Sequence, residues 1–164
     1  MEFTDLIEKT KNLLATDPDI LDWCLETYEK YPTVYVGMNR ENPAPKEDYP
    51  IIAITDLVEI HGNAVSTRTF DMAIGCGILD DGITETAAVE EVGEETPELR
   101  ATVKEHDGIS AVESLRGLVE AALKKARFAK VTFETESGSF STYPLFVSFT
   151  VATVEVVNCR RRQV

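Results

Sequence analysis

The residues able to support acid–base, nucleophilic or metal chemistry are few and far apart. Neither His61 nor His106 has a Cys or Asp at the spacing of a nucleophilic triad, and no His-x-x-x-His or Cys-x-x-Cys pattern occurs. Cys24, Cys76 and Cys159 are odd in number and widely spaced, so we expect reduced, buried thiols rather than disulfides or zinc ligands. The sequence therefore predicts no catalytic residue, no metal and no cofactor, and a protein that is not an enzyme.

Charge is concentrated in one stretch, Asp80 to Asp107. Its acids are Asp80, Asp81, Glu85, Glu90, Glu91, Glu94, Glu95, Glu98, Glu105 and Asp107, and its bases are Arg100 and Lys104. Carboxylates suit divalent cations, but the alternating acids and central glycine of a calcium loop are missing. We expect a loop or partial order here, with a short helix able to begin at Thr96 and Pro97. Two interpretations stay open: a solvated connector, or an electrostatic surface directed at a partner.

The length and overall charge narrow the class of protein. A chain of 164 residues predicts one domain, 1–164, with 80–107 as an acidic insertion within it. The net charge of −13 argues against general nucleic-acid binding and against attachment to an anionic membrane. It also opposes self-association unless specific contacts overcome the repulsion. The acidic amino terminus lacks an apolar signal segment, so we expect synthesis in the cytoplasm.

The amino-terminal part is predicted to be two helices followed by a strand and a long loop. Apolar residues at helical spacing indicate a helix over Phe3–Leu14 and a second that begins at Asp17 and Pro18. We expect both to face the core, with a partner-binding helical arm as the alternative. Thr33–Val36 has the composition of a strand. The proline-rich segment Gly37–Tyr49 is predicted to be an exposed loop, long enough to reach a neighbour.

The central strands are predicted to form an antiparallel hairpin from Ile51–Ile60 and Thr67–Leu79. Gly75 and Gly77 fall on the outer face of the second strand, which suggests the close approach of another backbone or helix, or a bulge. A long amphipathic helix follows over 110–127, with Ser110 and Glu113 as a capping box or Asp107 as the cap.

Two further strands close the chain, Lys130–Glu136 and the apolar run that begins at Tyr143. In the latter, Leu145, Val147, Phe149 and Val151 are predicted to face the core, with Ser148, Thr150 and Ala152 on the other face and a slip near Thr153. The predicted fold class is therefore α+β. It has an antiparallel, mostly hairpin-built sheet of about five strands, with two amino-terminal helices and the long helix (110–127) packed on it.

This order of elements resembles the tail terminator (tail completion) proteins of long-tailed bacteriophages. The matching pieces are Phe3–Leu14, Val34–Val36, Ile51–Ile60, Thr67–Leu79, Ser110–Arg127, Val131–Glu136 and Leu145–Val156, with Pro144, Leu145 and Phe146 before the last alternating strand. The helix Pro18–Lys30 and the stretch Asp80–Asp107 depart from that pattern. They leave open which tail type is involved, and whether another tail or neck component is the better match.

The resemblance implies a non-enzymatic virion protein of a phage or prophage, assembled in the host cytoplasm. Members of that family form hexameric rings that cap the finished tail tube and join it to the head connector, without sequence-specific nucleic-acid or membrane binding. The expected partner contacts lie in the loop, the acidic stretch and the basic tip: Arg40, Glu41, Lys46, Glu47, Glu90, Glu91, Glu94, Glu95, Arg160, Arg161 and Arg162. Part of the acidic stretch is expected to line a lumen that repels DNA. A monomeric acidic protein-binding module and a small enzyme are the competing hypotheses.

Overall fold

The computed structural model describes residues 3–38, 44–60, 67–90, 98–128, 130–134 and 143–157. Three helices and seven strands occur in these ranges. They are α1 (Phe3–Thr16), α2 (Pro18–Tyr28), β1 (Thr33–Val36), β2 (Ile51–Ile60), β3 (Thr67–Leu79), β4 (Ile83–Glu90), β5 (Glu98–His106), α3 (Asp107–Lys125), β6 (Lys130–Glu134) and β7 (Leu145–Val157), with a short 3-10 helix at Lys46–Asp48. The predicted α+β class is confirmed.

Five strands form one mixed sheet in the order β1-β2-β3-β7-β6, and β4 and β5 form a separate two-stranded sheet. The predicted β2–β3 hairpin is confirmed, with a register shift between Ile54 and Asp56. All neighbours in the large sheet are antiparallel except β1 and β2, which run parallel from the Thr33–Ile51 pair onward. The parallel pair requires a crossover, and the segment between Gly37 and Pro50 supplies it.

The helices cover one face of the large sheet. β3 contributes Phe70, Met72, Ile74, Cys76 and Ile78 to the core, and α3 contributes Val112, Leu115, Val119, Ala122 and Leu123. α2 begins where the Asp17 side chain accepts hydrogen bonds from the backbone N–H groups of Asp19 and Ile20, with Pro18 in the first turn. Leu6 and Leu14 of α1 and Ile20 and Cys24 of α2 are buried in the same core, so both amino-terminal helices pack on it, as predicted. We call the opposite side of the sheet the open face.

The predicted orientation of the last strand was wrong. Phe146, Ala152, Val154 and Val156 of β7 are buried in the core, together with Ser148 and Thr150. Burial alternates without a slip to the end of the strand. The core side of β7 lies under α3, where small residues let the helix approach closely. Leu145, Val147 and Phe149 consequently lie on the open face.

The acidic stretch is also more regular than predicted. β4 and β5 pair antiparallel from Ile83–His106 to Glu90–Glu98, where a loop or partial order was expected. Residues from Glu98 onward are strand rather than the short helix predicted to begin at Thr96 and Pro97, which themselves lie outside the described residues. α3 begins at Asp107, so Ser110 is inside the helix and donates to the Asp107 carbonyl rather than forming a capping box.

Candidate interaction surface

The open face carries an apolar groove of about 410 Å³. It lies where β2, β3 and β7 run side by side, and its main lining residues are Tyr49, Ile51, Gly75, Gly77, Val147 and Phe149. We call this set of six the groove. Phe149 remains 38% exposed although it is a large aromatic side chain. The sheet therefore has apolar residues on both faces, and the helices that the structure describes cover one of them.

Two glycines form the floor of the groove. A Cβ atom at Gly75 would lie 2.8 Å from Cε1 of Phe149, and one at Gly77 would lie 3.0 Å from Cγ1 of Ile51 and 3.2 Å from Cε1 of Tyr49. The glycines thus make room for side chains of the neighbouring strands and the loop. The sequence predicted the approach of another backbone or a helix, or a bulge, at these positions; the structure instead places side chains of Phe149, Ile51 and Tyr49 against them.

The predicted contact loop borders this groove. Met38 and Ala44, on either side of residues 39–43, belong to the wall of the cavity with Tyr49. Gly37 adopts a left-handed conformation with φ of 77°, and its N–H donates to the carbonyl of Ile54, which turns the chain out of β1. Tyr35 donates a hydrogen bond to Asp48, which raises the pKa of the tyrosine and fixes the 3-10 helix beside the sheet.

The second candidate surface is the β4–β5 hairpin, which we call the arm. Among the described strands, β4 and β5 pair only with each other. From Ile83 to Thr86 and from Thr102 to Glu105 every residue is exposed, including Ile83 at 51% and Val103 at 38%. An isolated two-stranded hairpin is marginally stable in water because it has no core to cover its faces. An arm of this kind is typical of a segment that contacts another molecule.

The base of the arm, by contrast, is firmly attached. Asp80 accepts hydrogen bonds from the Gly82 N–H at 2.8 Å and from the Tyr28 hydroxyl at 3.2 Å. Burial, and then the charge of Asp80, raise the pKa of Tyr28, which therefore stays a neutral donor. The backbone N–H of Asp107 donates to the Gly82 carbonyl at 3.1 Å. The Asp107 carboxylate accepts a hydrogen bond of 2.6 Å from the Thr84 hydroxyl. The arm therefore leaves the molecule from a fixed point.

Aromatic packing supports the same junction. The ring of His106 lies against Tyr143 and Phe146, with centroid distances of 5.1 and 6.0 Å. The Tyr143 hydroxyl donates to the Asp81 carbonyl at 3.3 Å. His106 Nδ1 is buried and has no hydrogen-bond partner among the described residues. The histidine thus serves as a packing residue between the arm and the core.

Ionisable groups inside the described part of the chain form structural pairs. Arg116 of α3 bonds Glu120 at 2.6 Å and also contacts Glu113, which accepts a hydrogen bond of 2.7 Å from Ser148. Burial raises the pKa of the Cys24 thiol to about 12 and that of Cys76 further, so both stay protonated. Within the described residues no group of three or more His, Cys, Asp or Glu is arranged to hold a metal ion.

The sequence-predicted contact residues divide into three sets. Lys46 and Glu47 are exposed on the 3-10 helix next to the groove, and Glu90 is the last residue of β4, at the distal end of the arm. Arg40, Glu41, Glu91, Glu94, Glu95, Arg160, Arg161 and Arg162 lie outside the described residues. The groove itself was missed. Its sequence signals were the two alternating glycines of β3 and the apolar residues Val147 and Phe149 of β7. These two residues of β7 were assigned to the core instead.

Comparison with known proteins adds no relative. Neither the scan against protein-family models nor the search of curated proteins returned a match. Within the described residues, no helix has the length and apolar character needed to cross a membrane.

Proposed function

We propose that this protein is a non-enzymatic structural subunit of a phage or prophage virion, similar to tail terminators. It assembles into a ring that caps the tail tube and joins it to the head connector. Six subunits are expected, in keeping with the resemblance in the order of elements. The ring assembles in the host cytoplasm and then remains in the virion tail.

The observation that carries this proposal is the arm. Eight paired positions along β4 extend about 24 Å at the usual strand rise, whereas the radius of gyration expected for 164 residues is about 15 Å. A hairpin of that length, exposed near its base, extends far enough to contact an adjacent subunit. Contacts between the arm and a different patch of the neighbour are head-to-tail, and they close into a ring when the rotation allows it.

The distribution of charge suits a passage for DNA. The stretch 80–107 holds ten of the 29 acidic residues of the chain and only two of its 16 Lys and Arg residues. Where such a surface lines a lumen, it repels the phosphate backbone and allows the genome to slide without adhering. We assign this role to part of the acidic stretch 80–107.

The mass of the protein in solution tests the proposal. Six copies of the 18.2 kDa chain give a particle of about 109 kDa, and sedimentation velocity separates this from a monomer. Negative-stain electron microscopy is expected to show rings with a central opening. A monomer at all concentrations would contradict the proposal. If that monomer bound basic proteins, it would support the acidic binding-module hypothesis.

A further inference from the structure

We infer that the groove binds a basic segment of a different protein, in which a large apolar side chain stands close to an arginine or lysine. The apolar side chain contacts Val147 and Phe149, and the cation meets the acidic residues where the groove ends. This inference goes beyond the proposed function, because the partner is not a second copy of this chain and binding does not require a ring.

The groove itself accounts for the apolar side chain. In the register of the sheet, Gly77 lies between Ile51 of β2 and Val147 of β7. Gly75 is paired with Phe149 of β7. The groove beside these glycines has a volume of about 410 Å³, at the lower end of ordinary ligand sites, which suits one or two side chains better than a whole folded element. Covering Val147 and Phe149 removes apolar area from water and so favours binding.

The next row of residues on the open face carries a carboxylate at each end. Across four strands, Asp56 is paired with Ala73, Ala73 with Val151, and Val151 with Glu134. Paired residues share a face, so Asp56 and Glu134 lie on either side of the other two, about 14 Å apart at the usual strand spacing. Both carboxylates are exposed, and neither forms an ion pair with another residue that the structure describes. A cation from a partner therefore supplies what this part of the chain does not.

The distance between the two rows fits side chains of an extended segment. Ala73 is two residues from Gly75 on β3, so the acidic row lies about 7 Å from the row that contains Phe149. Side chains two positions apart in an extended segment are separated by the same distance. An apolar residue on Phe149 therefore brings a cation two positions away next to the row of Asp56 and Glu134.

Acidic residues outnumber basic ones on the whole open face and on the 3-10 helix beside it. The described acids there are Glu47, Asp48, Asp56, Asp71, Glu134 and Glu155, and the described bases are Lys46 and Lys130. Lys130 lies 3.9 Å from Glu155, so its charge is already partly offset. This excess attracts a cationic segment, whereas the net charge of −13 opposes a second copy and a nucleic-acid backbone.

The first experiment measures the binding of a defined peptide to the full chain by fluorescence anisotropy. The probe is a short fluorescein-labelled peptide in which leucine and arginine alternate, at about 150 mM salt, where the Debye length is about 8 Å. The control peptide has serine in place of leucine and the same charge. We expect the leucine–arginine peptide to bind about 10-fold more tightly, because its leucines gain apolar contact. Equal affinities would mean attraction by charge alone and would overturn the inference.

Two substitutions on β7 test whether the peptide occupies the groove. Val147→Lys places a charge in the groove. Val157→Lys places the same charge on the same face at the far end of β7, about 33 Å away at the usual strand rise, where the side chain is 56% exposed. We expect Val147→Lys to weaken the leucine–arginine peptide about 10-fold and Val157→Lys to leave its affinity close to that of wild type. If Val147→Lys abolished self-association without changing peptide affinity, the groove would be an interface between copies and the inference would be wrong.

The carboxylates are tested with a matched pair of double variants. Asp56→Asn with Glu134→Gln removes the acidic row, and Asp22→Asn with Glu26→Gln removes two exposed acids of α2, on the opposite side of the sheet. Both double variants have the same net charge, so we expect only the first to weaken the peptide, by about 10-fold. If Val147→Lys lowers the unfolding midpoint, this comparison decides. Equal losses in the two double variants would overturn the inference.

The outcomes for the groove and for the ring are separable. A wild-type protein that forms the ring but does not discriminate between the two peptides overturns the inference and leaves the proposed function standing. A monomer that binds the leucine–arginine peptide at the groove supports the inference and contradicts the ring.

Discussion

The buried hydroxyl of Ser148 finds a hydrogen-bond partner on α3, which offsets the cost of burying a polar group beneath that helix. Ser148 is fully buried and donates to Glu113 at 2.7 Å. Burial acts to raise the pKa of Glu113, but the hydrogen bond from Ser148 and the charge of Arg116 outweigh it, so the pKa lies below its ordinary value of 4.5. The stability that depends on ionised Glu113 is complete above pH 4.5 and is lost as the pH falls through the lower pKa of the folded state.

Ser148→Ala should therefore destabilise the fold by about 1–2 kcal/mol at pH 7, because it removes a hydrogen bond to a charged group. The difference from wild type should shrink as the pH falls below 4.5 and Glu113 becomes protonated. Urea unfolding at several pH values measures both effects.

Ser114→Ala is the matched control, since the Ser114 hydroxyl is exposed and bonds only the Ser110 carbonyl among the described groups. Its pH profile should run parallel to that of wild type. If the deficit of Ser148→Ala stayed constant from pH 7 to acid, the link to Glu113 would be disproved.

At the scale of elements, the contact between α3 and β7 depends on a glycine. A Cβ atom at Gly108 would lie 2.2 Å from Cδ2 of Phe146, a ring that is itself 1% exposed and packed against His106. A Cβ at Gly117, farther along the same helix, would meet nothing within 4 Å. The two glycines of α3 therefore have different roles, although the sequence alone does not distinguish them.

Gly108→Ala should destabilise the protein by about 1–3 kcal/mol through overpacking. Gly117→Ala should stabilise it by about 0.4–1 kcal/mol, since alanine restricts the unfolded chain and suits a helix. Chemical denaturation of both variants provides the comparison. Equal stability of Gly108→Ala and wild type would show that Phe146 moves aside at no cost.

The types of the elements were largely predictable, but the face that β7 turns to the core, the parallel direction of β1 and the pairing of β4 with β5 were not. Helical spacing identified α1, α2 and α3, and alternation identified β2 and β3. β7 was assigned to the wrong face because Val147 and Phe149 are more apolar than Ser148 and Thr150, and the more apolar face was taken as the core. That rule fails where an apolar sheet face is left open and small residues accommodate a helix on the other side.

The arm was missed for a different reason. Crowded carboxylates predicted a loop, since like charges disfavour compact structure. Cross-strand pairing relieves part of this repulsion, as Lys104 lies opposite Glu85.

The loop beside the groove was predicted because its prolines exclude regular structure. The groove that it borders needed knowledge of how β3 and β7 align, which no local pattern contains.

At the scale of the whole molecule, the net charge determines how the proposed assembly should respond to salt. With a charge of −13 per subunit, copies repel one another over a Debye length of about 30 Å at 10 mM salt, but only about 8 Å at 150 mM. Ring formation should therefore strengthen as salt rises from about 10 mM to several hundred mM. Static light scattering at fixed protein concentration measures the change, with a circular dichroism spectrum at each salt as the control for folding. Light scattering from a monomer indifferent to salt would count against the ring.

The backbone hydrogen bond between Gly82 and Asp107 has a mechanical consequence. It joins the two ends of the hairpin to each other at the point where β3 ends and α3 begins. A force applied along the arm is therefore carried by both β3, the central strand of the large sheet, and α3. It does not extend a flexible linker. In the proposed ring, a load on the hairpin would therefore reach the sheet and α3 of its own protomer directly.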